Sequence, residues 1–565
     1  MRKNILLSVL MICMVPLMGF GQNPEKIIVD SDIPVGSQVT FHADTTYILS
    51  GMVFVDSLAT LTIEPGTVIK AESGQGNEAS GLVITRFARI FAEGTACRPI
   101  IFTSVSDNLN GNLTHEDRGL WGGVVMLGRA STNNQTEGGL KEVEGVNEIV
   151  SAGDTRAMYG GDEDTHSSGV FKYVSIRHSG INVGDQAGNE IQGLTLGGVG
   201  SGTVIDYVES FASADDGFEW FGGTVCCKHM VSAFNEDDSY DTDEGFRGKG
   251  QYWFAIQAAD KGGRVAEMDG ATGNEYFQPY SHPILANCTY IGAGIGATPE
   301  GDGAECIILR DNTGVEYYNS IFTDYDDAVQ GAGLTIEDVD NTGSKTEDSR
   351  MQFEAGNILF ENNLWYGFGA GNAVTEFIYQ DFAQAYFQDA ANANLAVDPQ
   401  IRGISRTTDG GLDPRPEAGS PAFGATKDVA ADLGDSFFDK TDYMGAFGSN
   451  NWLLGWTALD QLGYLSGTVD VCPIEETARS FSLLQNYPNP FNPSTTVQYA
   501  VPARGLVRLT VFNTLGQKVA TLVNEVQEAG LYMTTWNAGE FESGMYFLRI
   551  QAGSEIMTKK MTLIK

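Results

Sequence analysis

Basic residues are scarce in this chain. Lys and Arg together number 34 of 565 residues, whereas Asp and Glu number 73, so the formal net charge is −39. A surface of this charge repels phosphate groups, which argues against nucleic acid and against an anionic membrane surface as partners. Such acidity is typical of an extracellular protein that can hold cations.

Long apolar runs are absent after residue 21. No later segment has the roughly 18 uncharged apolar residues of a membrane helix, so we expect no transmembrane segment in the mature chain. Residues 1–21 have the pattern of a signal peptide, with Arg2 and Lys3, an apolar core over 5–17 and a small-residue cleavage site at 19–21. We therefore expect export, with the mature chain beginning at Gln22.

Metal-binding cysteine spacings are missing as well. The chain has 7 cysteines, none in a C-x-x-C arrangement, which disfavours a zinc cluster. Six remain after the signal peptide, and their spacing does not select a disulfide pairing. We expect most of them to be buried as small apolar side chains. Adjacent Cys226 and Cys227 are predicted to point to opposite faces of a strand.

Glycine, in contrast, is abundant, and the sequence repeats itself. A shift of about 22 residues within 203–248 lays Asp215–Glu219 on Asp237–Asp241 and apolar positions of 204–208 on those of 226–230. A period in the low twenties predicts a solenoid. The β-branched run 203–208 followed by acidic residues and Gly predicts strands and corners. We therefore predict a right-handed parallel β-helix with carboxylates stacked at one corner.

The body of the chain also resembles known proteins. The strings LTIEPGTVIK (residues 61–70) and GSPA (419–422) resemble those of secreted bacterial right-handed parallel β-helix surface proteins. The resemblance concerns architecture and carries no chemistry. We assign 22–435 to the β-helix with loop insertions, 374–390 to a helix over its end, and 436–470 to an aromatic cap on the last coil.

A separate module follows a composition break, and we assign 471–480 to a linker. Residues 481–565 contain the entry N-Y-P-N-P-F-N-P, a Leu515-Gly516-Gln517 turn, the strand G-M-Y-F-L-R and a basic tail. This segment closely resembles the C-terminal sorting domain of cargo for the type IX secretion system. The resemblance implies a small antiparallel β-sandwich that is read by the type IX machinery. It also implies export across both membranes, to the outer cell surface or the extracellular space.

Nine carboxylates lie between 215 and 244, and stacked pairs separated by one coil would be about 4.8 Å apart. Each such pair repels by about 3–4 kcal/mol near a protein surface. A bound Ca²⁺ ion, raised pKa values or a solvated acidic edge would each relieve this repulsion. We predict a Ca²⁺ site, with these candidate ligands: Asp215, Asp216, Glu219, Asp237, Asp238, Asp241 and Asp243.

Two functions remain open from the sequence. The first is a surface β-helix protein that binds a ligand or surface polymer, with Ca²⁺. The alternative is a carbohydrate-active enzyme, a polysaccharide lyase or glycoside hydrolase, on the same scaffold. Its polar groups would come from His178, the carboxylate pair Asp215-Asp216, Arg247 and Lys249. The aromatic residues Phe218, Trp220 and Phe221 could stack on sugars. No complete catalytic signature is present, so only the analogy of fold supports the enzyme.

Overall fold

The computed structural model describes residues 23–565 except for 134–139, 152, 184–189, 272–274, 302, 328–329, 340–347, 467–471, 475–480, 485, 487–488 and 554. The predicted signal peptide lies outside the described residues. The protein consists of a long parallel β-helix, a returning segment (residues 401–466) that packs along its side, and a C-terminal antiparallel domain.

The β-helix is built from short strands that are connected by tight corners. In chain order they are β1 (Glu25–Ile28), β2 (Gln38–Phe41), β3 (Thr46–Leu49), β4 (Met52–Val55), β5 (Thr60–Ile63), β6 (Val68–Ala71), β7 (Gly81–Ile84), β8 (Arg89–Glu93), β9 (Ile100–Ser104), β10 (Val124–Leu127), β11 (Lys141–Glu142), β12 (Met158–Tyr159), β13 (Gly169–Arg177), β14 (Ile181–Asn182), β15 (Glu190–Ile191), β16 (Leu194–Gly197), β17 (Val204–Phe211), β18 (Phe218–Phe221), β19 (Cys226–Ala233), β20 (Tyr240–Asp243), β21 (Lys249–Gln251), β22 (Phe254–Ile256), β23 (Ala266–Asp269), β24 (Ile284–Ala286), β25 (Thr289–Ile291), β26 (Glu305–Arg310), β27 (Val315–Tyr318), β28 (Ile321–Tyr325), β29 (Ala332–Ile336), β30 (Ile358–Glu361) and β31 (Leu364–Phe368).

Apart from the separate antiparallel pairs β11–β12 and β14–β15, these strands stack into three parallel columns around one core. One column runs from β2 through β8 and β17 to β30, and a second runs from β1 through β9 and β22 to β31. The long strands β13, β17 and β19 belong to both. The third column is a separate nine-stranded sheet from β4 to β29. Side chains of all three columns meet in the interior, where the core is almost entirely apolar.

The predicted repeat is confirmed as one coil of the helix. Val204 pairs with Cys226 and Val208 with Met230 where β17 meets β19. Glu219 pairs with Asp241 where β18 meets β20. Because parallel strands in register place equivalent residues directly above one another, the acidic corners of successive coils are stacked.

The bend between the first and second columns has a ladder of its own. Tyr173, Tyr207, His229 and Tyr252 occupy successive coils there, all with positive φ between 49° and 63°. Their rings stack with centroid separations of 4.3 Å, 4.0 Å and 4.8 Å. Stacking offsets the backbone strain that non-glycine residues incur in the left-handed region.

The helices of the described residues are short. They are α1 (Val146–Ile149), α2 (Ser349–Glu354), α3 (Val374–Phe377), α4 (Asp381–Gln388), α5 (Val429–Leu433) and α6 (Ala458–Gln461). The single helix that we expected over 374–390 is thus two helices, α3 and α4. Phe377 stacks on Trp365 with a centroid separation of 5.5 Å, and Phe387 joins the same core. These two helices cover the last coil.

The sequence predicts that the aromatic segment 436–470 caps the last coil. The structure differs, because this segment packs along the side of the β-helix. Its described residues follow the antiparallel pair β32 (Ile401–Gly403) and β33 (Asp413–Pro416) and lie along the side of the middle and last coils, where Met444 shares an apolar cluster with Leu364 of β31. Trp456 and Tyr464 share an apolar cluster with Phe211 and Phe254. Buried Glu209 on β17 accepts the amide hydrogen of Ala458 at 2.6 Å and so binds the first turn of α6. Apolar side chains on the outward face of these coils, such as Phe211 and Phe254, therefore determine where this segment packs.

The cysteines follow the predicted pattern in part. Cys227, Cys288 and Cys306 are buried in the core, and Cys226 on the opposite face of β19 is half-buried. These four thiols are free, whereas Cys97 is disulfide-bonded.

The C-terminal domain consists of two four-stranded antiparallel sheets over a shared apolar core. The strand Cys472–Ile474, which pairs with the strand Gly530–Asn537, lies inside the predicted linker 471–480, so the domain begins earlier than its sequence motifs. Its strands are β34 (Cys472–Ile474), β35 (Ser482–Leu483), β36 (Ser494–Val501), β37 (Gly505–Asn513), β38 (Lys518–Gln527), β39 (Gly530–Asn537), β40 (Gly544–Ala552) and β41 (Glu555–Leu563).

Candidate functional site

Carboxylates form a ladder on the outer face of the third column. Glu219 on β18, Asp241 on β20 and Glu267 on β23 occupy paired positions in three successive coils. We call these three residues the acidic ladder. Their neighbours in sequence, such as Phe218 and Trp220, point into the core, because side chains alternate along a strand. The alternation therefore fixes the three carboxylates on the outer side.

The corner that precedes this column adds a second set of carboxylates. Asp215 and Asp216 lie between β17 and β18, and Asp237 and Asp238 occupy the same corner one coil later. The Asp216 carboxylate accepts the amide hydrogen of Asp238 at 3.0 Å. The Gly217 amide also donates to the Asp238 carbonyl at 2.9 Å. Hydrogen bonds between coils thus hold the two acidic corners in register.

The corner, the acidic ladder and inserted segments together enclose a cleft, which we call the acidic cleft. Its volume is about 240 Å³. Among the residues that the structure describes, no Lys, Arg or His lines it. The lining consists of nine carboxylates and one amide, from Glu144, Glu190, Gln192, Asp215, Asp216, Glu219, Asp237, Asp238, Asp241 and Glu267.

Two groups of three carboxylates within the acidic cleft have the spacing of a cation site. One is Asp215, Asp216 and Asp237, and the other is Asp216, Glu219 and Asp241. In each group the ligand oxygens lie within 4.8 Å of one another, and Asp216 belongs to both. A cation needs several oxygens converging at this range, and Ca²⁺ accepts about six to eight of them in flexible geometry.

The second group contains oxygen atoms with no hydrogen-bond donor. Oε2 of Glu219 and Oδ1 of Asp241 are buried, and neither accepts a hydrogen bond from any described residue. Glu219 as a whole is only 6% exposed. A buried polar atom without a partner costs about 1–3 kcal/mol, and more when it is charged. These oxygens therefore require a proton or a cation.

Burial and crowding change the pKa values of the carboxyl groups in the acidic cleft. Burial raises the pKa values of Asp215, Asp216, Glu219 and Asp241 well above their usual range, and the neighbouring carboxylates raise them further. Burial raises the pKa of Glu144 to about 7. A divalent ion would reverse these shifts, because it favours the ionised form of every carboxylate around it.

At its far end the acidic ladder meets arginine side chains. Glu267 lies 2.9 Å from the Arg264 guanidinium and 3.0 Å from that of Arg310. Arg310 also pairs with Asp269 at 2.8 Å. Arg264 further pairs with Glu305 at 2.7 Å. The protein thus supplies its own countercharge at this end, whereas the Glu219 end lacks a basic side chain among the described residues that line the cleft.

Five of the seven predicted ligands lie in the two carboxylate groups, and two lie outside them. Asp215, Asp216, Glu219, Asp237 and Asp241 converge in the two groups. Asp238 lines the cleft, but its carboxylate accepts the amide hydrogen of Arg264. Asp243 does not line the cleft, and its carboxylate accepts the amide hydrogen of Glu244 at 2.5 Å. These two residues lie outside both groups.

Sequence reasoning missed four residues that line the acidic cleft: Glu144, Glu190, Gln192 and Glu267. Glu267 follows Asp241 by 26 residues instead of 22, because the intervening coil is longer, so a fixed shift does not reach it. Glu144 and Glu190 come from inserted segments, and Gln192 lies at the same corner one coil before Asp216. Gln192 donates a hydrogen bond to Glu144 at 2.9 Å, which holds the insertion over the cleft. No repeat predicts that contact.

Asp215 and Asp216, which the enzyme alternative also uses, line the acidic cleft, whereas its other residues lie elsewhere. His178 is buried, and its ring nitrogen contacts the Asp117 carbonyl oxygen at 2.6 Å. Arg247 pairs with Asp164, and Lys249 with Asp435. The aromatic side chains Phe218 and Trp220 belong to the core, and Phe221 belongs to a second buried cluster. None of these other residues lines the acidic cleft.

The C-terminal domain joins the two ends of its motif. The Asn489 side chain donates to the Lys560 carbonyl at 3.1 Å and accepts the Thr562 amide hydrogen at 2.8 Å. The Phe491 amide donates to the Thr562 carbonyl, and the Ile564 amide donates to the Phe491 carbonyl, both at 2.9 Å. The N-P-F entry thus binds the edge of the last strand, β41.

Comparison with known families agrees with both halves of this architecture. Residues 34–394 match the family model described as a pectate-lyase-like β-helix domain. The chain belongs to this β-helix family. Residues 485–565 match the secretion system C-terminal sorting domain. The comparison with curated proteins found no match.

The C-terminal domain makes this β-helix protein a cargo of type IX secretion, exported to the cell surface or the extracellular space. Among the described residues, no helix is long and apolar enough to cross a membrane. The match of the body concerns the β-helix domain and gives the architecture on which the acidic cleft is built.

Proposed function

We propose that this exported β-helix protein binds Ca²⁺ in the acidic cleft and, with the ion in place, a ligand or surface polymer. The observation that carries the proposal is the pair of buried oxygens, Glu219 Oε2 and Asp241 Oδ1, that accept no hydrogen bond from the described residues. Both residues share a group of close ligand oxygens with Asp216. A divalent cation converts these repulsive contacts into attractive ones.

Ca²⁺ fits this donor set better than the alternatives. Every ligand is an oxygen, which suits hard cations and not the thiolate- and imidazole-preferring metals. The carboxylates are irregularly placed along a corner and a strand, and Ca²⁺ tolerates irregular coordination whereas Mg²⁺ demands near-octahedral geometry. An ion in the open mouth of the cleft would retain sites for oxygens of an external ligand.

Binding is a better account of the acidic cleft than catalysis. Hydrolysis of a glycosidic bond needs an acid and a base that flank the bond, and proton abstraction needs a base with a suitable pKa. The described lining offers no basic side chain for proton abstraction by a lyase, and His178, Arg247 and Lys249 are engaged elsewhere. The carboxyl pair that a hydrolase needs is present, but the buried oxygens without a hydrogen-bond donor favour cation binding over hydrolysis. Incubation of the protein with acidic and neutral polysaccharides tests the enzyme alternative, and we expect no release of reducing ends or unsaturated products.

The test of the proposal is calorimetric titration of the purified, metal-stripped protein with Ca²⁺ at constant ionic strength. We expect saturable binding and an upward shift of the melting temperature, since a ligand at one hundred times its Kd stabilises the folded state by about 2.7 kcal/mol. Asp216→Asn removes the carboxylate shared by both groups and is expected to abolish binding.

Glu417→Gln provides the matched control, because Glu417 is an exposed carboxylate far along the chain in the returning segment. This variant should bind Ca²⁺ like the unaltered protein. If the unaltered protein shows no calorimetric binding and its melting temperature ignores Ca²⁺, the acidic cleft is a protonated acidic surface and the proposal fails.

A further inference from the structure

The outer face of one sheet in the C-terminal domain carries aromatic and basic side chains in a row. Lys518 on β38 pairs with Phe512 on β37, Phe512 pairs with Phe547 on β40, and Phe547 pairs with Lys560 on β41. Paired residues of antiparallel strands project to the same face. The row thus crosses all four strands, with two phenylalanines between two lysines.

Two arginines extend this row into a surface. Arg549 and Arg508 occupy outward positions on β40 and β37, and both are exposed. Glu525 on β38 pairs with Val507, and Glu555 on β41 pairs with Ala552. Val507 and Ala552 are themselves paired and lie at positions of the opposite face of the sheet, so the two glutamates are not part of the row. We call the surface formed by Arg508, Phe512, Lys518, Phe547, Arg549 and Lys560 the basic–aromatic face. Its outward positions carry four positive charges and no negative charge.

This composition is exceptional within the protein. Residues 481–565 contain seven Lys and Arg and five Glu, whereas the remainder of the chain contains 27 Lys and Arg and 68 Asp and Glu. The domain therefore has a small positive net charge next to a strongly acidic body. A basic surface on an acidic protein favours an anionic partner and disfavours contact with like domains.

The centre of the face is apolar and concave. Phe547 is 37% exposed, and a cleft of about 310 Å³ adjoins it, lined by Phe512, Phe547, Arg549, Thr558 and the turn at 513–516. The tip of that turn, Leu515, is 81% exposed. Aromatic and arginine side chains dominate the binding energy of protein interfaces, especially where they line a pocket.

We propose that the basic–aromatic face is the surface through which the sorting domain docks onto an acidic polypeptide segment of the export machinery. The charges select an anionic partner, and the phenylalanine pair with its cleft selects one with apolar side chains. A polypeptide offers both, whereas an anionic polysaccharide would use the four cations and leave the apolar centre exposed. The opposite face of the sheet forms the domain core and is not accessible.

Surface delivery of the full chain in a bacterium with a type IX system tests this proposal. Phe512→Ser with Phe547→Ser, and separately Arg549→Glu, should each lower delivery by about tenfold or more, as loss of an interface hot spot does. The undelivered protein should accumulate in the periplasm. Each variant is also assayed for protease resistance of the purified full chain. A variant that is cleaved within 481–565 is replaced by the milder Phe547→Leu or Arg549→Gln.

Two matched controls lie away from the face. Tyr379→Ser removes an aromatic side chain that is 61% exposed on the body. Arg504→Glu reverses a charge of the sorting domain whose side chain is 70% exposed and pairs with Glu528. Both should leave delivery within about twofold of the unaltered chain, because neither residue belongs to the basic–aromatic face.

A photo-reactive amino acid at position 547 of the full chain identifies the class of partner. We expect an adduct that protease digests, and whose yield falls about fivefold or more when Arg549→Glu is added. An adduct that resists protease and is degraded by periodate would overturn the proposal in favour of an anionic polysaccharide. Normal delivery of folded Phe512→Ser/Phe547→Ser protein would show that the face has no part in export.

Discussion

The two ends of the acidic ladder have the same backbone and opposite electrostatics. At one end, Glu267 lies within 3.0 Å of two arginines. At the other, Glu219 and Asp241 have buried oxygens without a hydrogen-bond donor among the described residues. The stacked strands create the same charge repulsion at both ends, but arginines from the coils beyond β20 balance it at only one of them.

This difference explains why an acidic cluster is not by itself a metal site. Arginine holds carboxylates in fixed bidentate or paired geometry and remains charged at any physiological pH. Where Arg264 and Arg310 are present, the protein has no need of an external cation. Where they are absent, the ladder depends on protons or on an ion from solution. We call the Glu267 end, where Arg264 and Arg310 supply the countercharge, the closed end of the acidic ladder, and the Glu219 end the open end.

The largest effect is expected at the closed end, from Arg264→Leu. This substitution removes the guanidinium that pairs with Glu267 and Glu305. The ion pairs are buried, since Arg264 is only 8% exposed. Loss of one partner of a buried ion pair costs about 3–5 kcal/mol. Thermal unfolding should show the decrease. Arg504→Gln, which breaks the pair of an exposed arginine with the exposed Glu528, is the control and should cost less than about 1 kcal/mol. Equal costs for the two variants would contradict the comparison.

The second prediction concerns a positive charge introduced into the acidic cleft near its open end. Gln192→Lys introduces an ammonium group beside Glu144, which Gln192 already contacts at 2.9 Å. An internal cation lowers the need for an external one, so we expect a higher melting temperature without Ca²⁺ and a Ca²⁺-induced shift reduced by about half or more. Gln192→Met keeps the size and adds no charge. If it has the same effect, charge is not the cause.

The third prediction concerns pH. Burial raises the pKa of Glu144 to about 7 from an ordinary value of 4.5. Between these values the folded state holds a proton that the unfolded state has released, so this group lowers stability as pH rises from about 4.5 to about 7. Without Ca²⁺, Glu144→Gln should therefore stabilise the protein at pH 7.5 more than at pH 5. Melting curves of both proteins at the two pH values measure this, and an equal effect at both would refute it.

The smallest effect is expected from Asp243→Asn, which tests the boundary of the site. Asp243 lies outside both carboxylate groups, and its hydrogen bond to the Glu244 amide is worth about 0.5–1.5 kcal/mol at most. The variant should keep the calorimetric Ca²⁺ affinity of the unaltered protein within about twofold. A loss of affinity as large as that of Asp216→Asn would place Asp243 among the ligands.

Much of the fold could be predicted because it is periodic. The 22-residue shift gave the register of β17 with β19 and of β18 with β20 directly, since a solenoid repeats the same local environment in each coil. The sorting domain was predictable from motifs whose residues lie close in sequence. The aromatic segment was misplaced because its apolar residues can pack on any exposed apolar surface, and pattern alone does not say which one.

By itself, the sequence determined the β-helix, the stacked acidic corner and the export domain, because each depends on local periodicity or on a contiguous motif. Tertiary structure alone decided which carboxylates converge. It brought Glu144 and Gln192 from an insertion and a neighbouring coil to the same cleft, and it placed Arg264 and Arg310 at one end of the ladder only. The physical reason is that burial and countercharge depend on side chains from distant parts of the chain, which no period in the sequence encodes.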